Sequence, residues 1–353
     1  MTIDIAPLDS DVAIATRLLP RTASRSARRT FGAIDLGTNN CRLLVARPGA
    51  PGSGSDLIVI DAFSRVVRLG EGLSQTGRLS DAAMDRAVAA LSTCADKLDR
   101  RGVTLTRNVA TEACRRAANG AEFVARVFDV TGIALDVISP GEEARLAVLG
   151  CASLIDPAGP AALIFDIGGG STELILVDAA TAAIRAWVSV PWGVVGLAES
   201  VAHDPPPSER AAVYAAMQAT VAGHIARFAP LVAAAAPGPL QLLGTSGTIT
   251  TLASIALGLL SYDRKQVDGC TVRADAMHEI SAMLGSRSPS ERAAVPGIGA
   301  DRADLVVAGC AILTAIMRQW PSETLRVADR GIREGILRVL IGRTVSTSRQ
   351  ARQ

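Results

Sequence analysis

Aromatic residues make up only 3% of this 353-residue chain, and lysine occurs just twice, at Lys97 and Lys265. Few aromatics leave few surfaces for stacking a base: only Trp187 and Trp192 lie near a glycine-rich turn, and no base pocket is legible. The six cysteines (Cys41, Cys94, Cys114, Cys151, Cys270, Cys310) form no C-x-x-C pair, and there are three scattered histidines. That pattern encodes neither a zinc site nor a disulfide framework, and predicts reduced thiols in a cytoplasmic protein. His203-Asp204 stands before three prolines with no second histidine cluster, so it reads as loop. A Walker lysine loop and a G-x-S-x-G elbow are also missing. The most apolar stretch, Leu305 to Met317, is too short to span a bilayer, so no membrane segment is predicted. Net charge is +2, and residues 1–30 account for all of it, with five arginines against Asp4, Asp9 and Asp11. The rest sums to zero, so no global field attracts nucleic acid, and any anion affinity must be local.

What the chain does contain is a repeat. Asp35-Leu36-Gly37-Thr38-Asn39-Asn40-Cys41-Arg42-Leu43-Leu44-Val45 aligns without a gap on Asp166-Ile167-Gly168-Gly169-Gly170-Ser171-Thr172-Glu173-Leu174-Ile175-Leu176. Each copy follows one apolar run and leads into another, which reads as strand, small-residue turn, strand. Backbone N–H groups and short side chains in such a turn suit a phosphate, and the preceding Asp suits a hydrated Mg²⁺. Two such hairpins suggest two related lobes closing on one phosphate-bearing substrate.

The elements around the hairpins repeat as well. Strands are predicted at 31–36, 41–47 and 57–69, a helix from Ser80 to about Gly102, a strand at 103–110, a helix from Asn119 to Thr131, a strand at 133–138 and a helix at 140–151. The second half offers strands at 161–167, 172–178 and 184–190, a helical region over 207–228, a strand at 240–243 and a helix at 248–260. Helices at 273–285 and 300–319, a strand at 324–328 and a helix at 332–343 complete it. This is an α/β unit occurring twice. The predicted boundaries are a disordered extension over 1–30, a first lobe over 31–150 with helix 332–343 packing back on it, and a second lobe over 151–331. A third small-residue loop, Gly244-Thr245-Ser246-Gly247-Thr248, joins a strand to a helix, where free amides add to an anion site. Glu112 and Arg115 follow the strand 103–110, at the end where α/β sheets display reactive groups.

Six motifs occur in order: Asp35-Leu-Gly-Thr-Asn-Asn-Cys-Arg-Leu, Ala110-Thr-Glu-Ala-Cys-Arg-Arg-Ala, Ile138-Ser-Pro-Gly-Glu-Glu-Ala-Arg-Leu, Asp166-Ile-Gly-Gly-Gly-Ser-Thr-Glu, Gly244-Thr-Ser-Gly-Thr-Ile-Thr and Arg333-Glu-Gly-Ile-Leu. Together they resemble the exopolyphosphatase and guanosine pentaphosphate phosphatase (Ppx/GppA) family in its short two-domain form, over about residues 31–343. The resemblance implies an α/β fold of two actin-like (ribonuclease H-like) lobes, of the superfamily of sugar kinases, heat-shock chaperone ATPases and actin. It implies a Mg²⁺-dependent hydrolase that removes the terminal phosphoryl group of inorganic polyphosphate, of pppGpp, or of both, and it makes a homodimer possible. Carried over residue by residue, Glu112 falls on the catalytic base and Glu143 on the second acidic residue. Asp166, Asp35 and Glu173 would arrange the metal. Phosphates would be held by Gly37, Thr38, Asn39 and Asn40, by Gly168, Gly169, Gly170, Ser171 and Thr172, by Gly244, Thr245, Ser246, Gly247 and Thr248, and by Arg115.

Three positions depart from the family pattern. Asn40 stands where many relatives carry a serine, Asp268 where a histidine precedes glycine, and Gly196 where an arginine is common. Two rival readings share the fold: a sugar or acetate kinase, and a module that binds (p)ppGpp without turnover. The Glu112 and Glu143 motifs argue against both.

Overall fold

The computed structural model describes residues 17–18, 29–49 and 56–350. It divides into two compact units, one built on Pro7–Gly150 with Ile332–Gln353, the other on Cys151–Gly331. The first holds strands β1 (Arg17–Leu18), β2 (Phe31–Leu36), β3 (Asn40–Pro48), β4 (Leu57–Val66), β5 (Leu105–Ala110) and β6 (Asp136–Val137). Their sheet runs β4-β3-β2-β5, with β2 parallel to β5 and antiparallel to β3. Beyond β5, the edge is shared by β1, antiparallel at Leu105 and Thr106, and β6, parallel at Val109 and Ala110. Arg17 and Leu18 thus form a short strand inside the extension expected to be disordered; residues 1–16 and 19–28 lie outside the described residues.

The second unit holds β7 (Ala162–Ile167), β8 (Thr172–Val177), β9 (Ile184–Val190), β10 (Gln241–Thr245), β11 (Thr271–Arg273) and β12 (Thr324–Ala328), in the order β9-β8-β7-β10-β12-β11. Its first two strands pair antiparallel and its first, fourth and last long strands run parallel. Strand order 3-2-1-4-5 with an antiparallel second strand therefore occurs in both units, which is the actin-like, ribonuclease H-like lobe.

Alternation along the strands explains the layers. In the first unit Ile34 and Leu36 of β2, with Cys41, Leu43 and Val45 of β3, face the helices Asp81–Arg100 and Gly120–Thr131, through Ala87, Leu91, Cys94, Phe123 and Val127. Phe31, Ala33, Leu44 and Ala46 face the other way, onto Leu146 and onto Ile332, Ile336, Leu337 and Leu340 of the terminal helix Ile332–Gln350. That helix also reaches helix Pro140–Cys151 through Arg338, which donates to the carbonyls of Leu149 and, at 3.1 Å, Gly150. In the second unit β7 and β8 are buried along nearly their whole length, which is why 162–165 and 174–177 read as unbroken apolar runs.

Several boundaries differ from the sequence expectation; helix 300–319 starts only at Val306, and helix 248–260 ends at Ala256. Strand 57–69 stops at Val66 because Arg68 turns at φ 48°. The strand expected at 133–138 pairs only over Asp136–Val137. The helical region 207–228 is one helix, Arg210–Ile225, and a further helix that the sequence reading did not separate, Ala229–Ala235, follows with Pro230 in its first turn. The three-residue edge strand β11 is too short for periodicity to register. All six cysteines are free thiols, and among the described residues no helix is long and apolar enough to cross a membrane.

Gly335 tests the packing of the terminal helix. A methyl group there would overlap the Leu146 carbonyl oxygen, so the two helices approach backbone to backbone. In an open helix Gly→Ala stabilises by about 0.5–1 kcal/mol. Here overpacking of about 1–3 kcal/mol should win, and Gly335→Ala should unfold at lower urea than wild type. A raised midpoint would show that the close approach is not tight.

Candidate active site

The two glycine-rich hairpin turns are built alike. Gly37 N donates to Asn40 O at 2.9 Å, and Gly168 N donates to Ser171 O at 3.0 Å. The segment after each third strand then takes the turn's carbonyls. Thr38 O accepts from Gly70 N at 2.9 Å, and Asn39 O from Val67 N and Arg68 N at 2.9 and 3.0 Å. In the second lobe Gly168 O accepts from Val194 N at 3.0 Å and Gly169 O from Val195 N at 2.9 Å. Gly70 and Gly193 are required by that approach: a methyl group would overlap the Thr38 side chain at one and the Gly169 backbone at the other. The amides of Thr38, Asn39, Gly169 and Gly170 donate to no group among the described residues. Carbonyls held inward and amides left over make a nest for an anion.

Side chains distinguish the two turns. Thr38 and Asn39 are buried, yet Thr38 Oγ1 and Asn39 Oδ1 have no partner. Each such atom costs about 1–3 kcal/mol, so both side chains keep hydrogen-bonding capacity that the protein itself does not use. Ser171 and Thr172, expected to hold phosphate, are already engaged. Ser171 Oγ donates to Glu173 Oε1 at 2.7 Å, where Ser189 Oγ also donates at 2.8 Å, and Thr172 Oγ1 donates to Trp192 O at 2.8 Å. The second-lobe turn therefore offers backbone amides, with its hydroxyls bracing the loop.

The third loop ends β10 and opens helix Gly247–Ala256. Thr245 Oγ1 donates to Arg330 O at 2.7 Å. Ser246 stands at φ 113° and ψ 173°, a region held almost only by glycine, and its Oγ has no partner. Thr248 is buried behind it. Asp268, the residue in place of the family's histidine, receives Arg330 Nε at 3.0 and 2.8 Å on its two oxygens and Asp329 N at 3.1 Å. The departure thus fixes Arg330, whose carbonyl fixes Thr245.

Glu112 and Glu143 meet through one guanidinium in the first lobe. Glu112 opens the short helix Glu112–Arg116 immediately beyond β5, and Arg115 Nη2 donates to its Oε2 at 2.5 Å. Arg115 Nη1 donates to Ile138 O at 2.6 Å, and both nitrogens stand 3.4–3.5 Å from Glu143 Oε2. Glu143 comes from helix Pro140–Cys151, whose first turn Ser139 caps, its Oγ accepting from Glu142 N at 3.2 Å and its carbonyl from Glu143 N at 3.0 Å. Beneath it, Glu142 accepts from Arg145 at 2.7 and 2.8 Å and from Arg107, which is 2% exposed, at 2.8 Å. Burial pushes the Glu142 carboxyl up, but the two guanidinium groups outweigh it and hold it below the usual range. Arg115, expected as a phosphate holder, is first of all the bridge between the two glutamates. The sequence reading assigned no role to this supporting network, although Glu142 and Arg145 lie inside a quoted motif.

Among the described residues no group of three acidic, histidine or cysteine side chains could hold an ion. Mg²⁺ needs only one or two carboxylates, with waters and substrate phosphates completing its shell. Asp35 and Asp166 fit that demand, each at the end of a first strand beside a turn with spare amides. Burial pushes the Asp35 carboxyl up against the opposing pull of Arg42 and Arg333, with Glu334 adding to the rise. A cation there would restore its ionised form. Arg333 and Glu334 went unassigned in the sequence although their motif was noted. Glu173 fits less well, because Oε1 already takes two hydroxyls.

Ser246→Gly separates strain from contact. Relief of the backbone, worth about 1–3 kcal/mol, should raise the thermal midpoint, while loss of the hydroxyl should weaken polyphosphate binding. A lowered midpoint would remove strain from the account of this loop.

The sequence model of the Ppx/GppA phosphatase family matches residues 50–343. Exopolyphosphatase 2 of Mycobacterium tuberculosis is 32% identical over 323 residues, covering 88% of this chain and 98% of that protein. Among solved structures, an exopolyphosphatase-like protein is 28% identical with a TM-score of 0.79, covering 89% of this chain and 99% of the other. The Aquifex aeolicus Ppx/GppA member is 27% identical with a TM-score of 0.70, over 90% and 98%. The chain is thus a hydrolase of phosphoric anhydride bonds, and it belongs to the Ppx/GppA phosphatase family.

Proposed function

We propose that this chain is a Mg²⁺-dependent exopolyphosphatase that removes the terminal phosphoryl group of inorganic polyphosphate by direct attack of water. The observation that carries the reading is the Glu112–Arg115–Glu143 cluster, two carboxylates oriented by one guanidinium beyond β5. Glu112 takes a proton from the attacking water as the new P–O bond forms. The anhydride P–O bond breaks in line, and the shortened chain leaves with the electron pair. Transfer of this kind asks the protein mainly to position water and to balance charge. The long contact of Arg115 with Glu143, 3.4–3.5 Å, is the one that a phosphoryl oxygen would replace, while the 2.5 Å bond keeps Glu112 aimed. Glu143 then holds the water's second hydrogen. Thr38, Asn39 and the spare amides of their turn receive phosphoryl oxygens, as preset donors that need no reorganisation. Mg²⁺, held by Asp35 or Asp166 and their waters, would neutralise phosphate charge. The thiols and the lack of a membrane-spanning helix among the described residues suit a cytoplasmic enzyme.

The alternative reading, a pppGpp 5′-phosphohydrolase, uses the same groups on a different substrate. Purified protein incubated with long-chain polyphosphate, pppGpp or ATP, with Mg²⁺ or with EDTA, should release phosphate most efficiently from polyphosphate and only with the metal. Higher kcat/KM for pppGpp would transfer the main activity to the nucleotide. Consumption of ATP only with an added acceptor would indicate a kinase, and binding without release a sensing module.

Glu112→Gln should fold and bind polyphosphate normally but turn over about 10²-fold or more slowly, the scale of general-base loss. Glu143→Gln should lose a similar or smaller factor. Near wild-type phosphate release by Glu112→Gln would move the base to Glu143.

A further inference from the structure

The segment that returns after each third strand takes the carbonyls of a glycine turn, and a side chain from the first long helix beyond it fastens that segment. In the first lobe the side chain is Arg86 of helix Asp81–Arg100. Its Nε donates to Val67 O at 2.8 Å, and its Nη2 to Arg68 O at 3.3 Å and to Glu71 Oε2 at 2.7 Å. The peptide between Val67 and Arg68 therefore carries Arg86 on its carbonyl and Asn39 O of the turn on its N–H. Arg68 stands at φ 48°, an unfavourable region for a residue with a side chain, and it persists because its surroundings hold it there.

In the second lobe the side chain is His224, at the end of helix Arg210–Ile225. Trp192 opens the returning segment. Its carbonyl accepts from Thr172 Oγ1 at 2.8 Å, and its indole N–H donates to His224 Nε2 at 3.2 Å. An indole N–H can only donate, so Nε2 is the acceptor. Two and three residues further on, Val194 N and Val195 N hold Gly168 O and Gly169 O. The helix is a firm support: Met217, Val221 and Ile225 lie in the core, and Gln218 Oε1 accepts from Arg318 Nη1 at 2.8 Å. The two lobes thus use different residue types for one task at corresponding places in the fold.

We propose that Arg86 and His224 are positioning residues, each holding a returning segment, and through it a glycine turn, in the arrangement that aims the turn's spare amides at substrate phosphate. The proposal rests on the phosphohydrolase reading only for what the turns bind. Both side chains act through the returning segments. A loosened turn binds substrate and transition state less well by the same factor, so KM should rise while kcat stays nearly unchanged.

Phosphate release from long-chain polyphosphate with Mg²⁺, and calorimetric binding of inorganic tripolyphosphate, test this on the full chain. His224→Ala should raise KM and weaken tripolyphosphate by about two- to tenfold, the worth of one hydrogen bond, and Arg86→Ala by at least as much. His224→Gln offers an acceptor oxygen in place of Nε2 and should stay close to wild type. Trp192→Phe removes the indole N–H and should raise KM as His224→Ala does, and the double variant should be no worse than either single one. Unchanged KM and affinity in either alanine variant would overturn the role of that residue. A His224→Ala effect that persists in full on Trp192→Phe, or that His224→Gln does not rescue, would make the histidine a support of the fold alone. Wild type that does not bind tripolyphosphate would overturn the proposal for both residues, since the turns would then hold no phosphate. Wild type that binds it but releases no phosphate from polyphosphate would instead remove the phosphohydrolase reading, and the binding ratios would still decide the positioning.

Discussion

The carbonyl oxygens of the two glycine turns are held inside the protein, and the candidate site depends on that. A turn can present amides to a phosphate only if its carbonyls, which would repel the phosphate, point elsewhere and are satisfied there. Both lobes solve this the same way: the chain returning after the third strand donates its N–H groups to the turn, two or three bonds in each case. Close passage of that returning chain is what fixes Gly70 and Gly193. The same device in both lobes explains why the hairpin sequences resemble each other while the returning segments, Val67-Arg68-Leu69-Gly70 and Gly193-Val194-Val195, do not. Only backbone groups and one glycine are needed, so the surrounding side chains are unconstrained.

Glu112 and Glu143 are arranged on a different principle. Two glutamates from separate helices are brought together by a shared cation, and one of the helices is itself fastened by an inner ion network of Arg107, Glu142 and Arg145. Removing one member of such a buried network leaves charge uncompensated, at a cost of about 3–5 kcal/mol. The network therefore defines where Glu143 stands more than it adds to stability. Asp136, from β6, completes the Arg107 pairing at 2.9 Å, which gives the two-residue strand a purpose beyond extending the sheet.

Fold and chemistry were legible in the sequence to different depths. The repeat at Asp35 and Asp166 reported the hairpins, because strand–turn–strand leaves a period and a glycine signature. Helix Asp81–Arg100 was visible through its Ser80 cap and its apolar stripe. Short elements were not: helix Val194–Glu199 and strand β11 are set by tertiary hydrogen bonds and edge pairing, which leave no local pattern. At the site, the residue types were readable but their allegiances were not. Ser171 and Thr172 look like Thr38 on paper. Whether a hydroxyl faces a ligand or a neighbour depends on Glu173, Ser189 and Trp192, and the last two are distant in sequence. Arg115 is a similar case, since its two glutamates lie on different helices.

Asp268 shows how a family departure can be absorbed. An acidic residue near a polyanion site repels the ligand unless its charge is matched. Here both of its oxygens are engaged by Arg330, and the pair braces the carbonyl that receives Thr245. The charge is neutral as a unit, so the substitution changes the stiffness of the third loop more than its field. A stiff loop is also what keeps Ser246 in its unfavourable backbone region, because a strained residue persists only where its surroundings over-determine it. The Asp268–Arg330 pair and the Ser246 geometry are therefore one feature, a loop held in a single strained arrangement by its own ion pair.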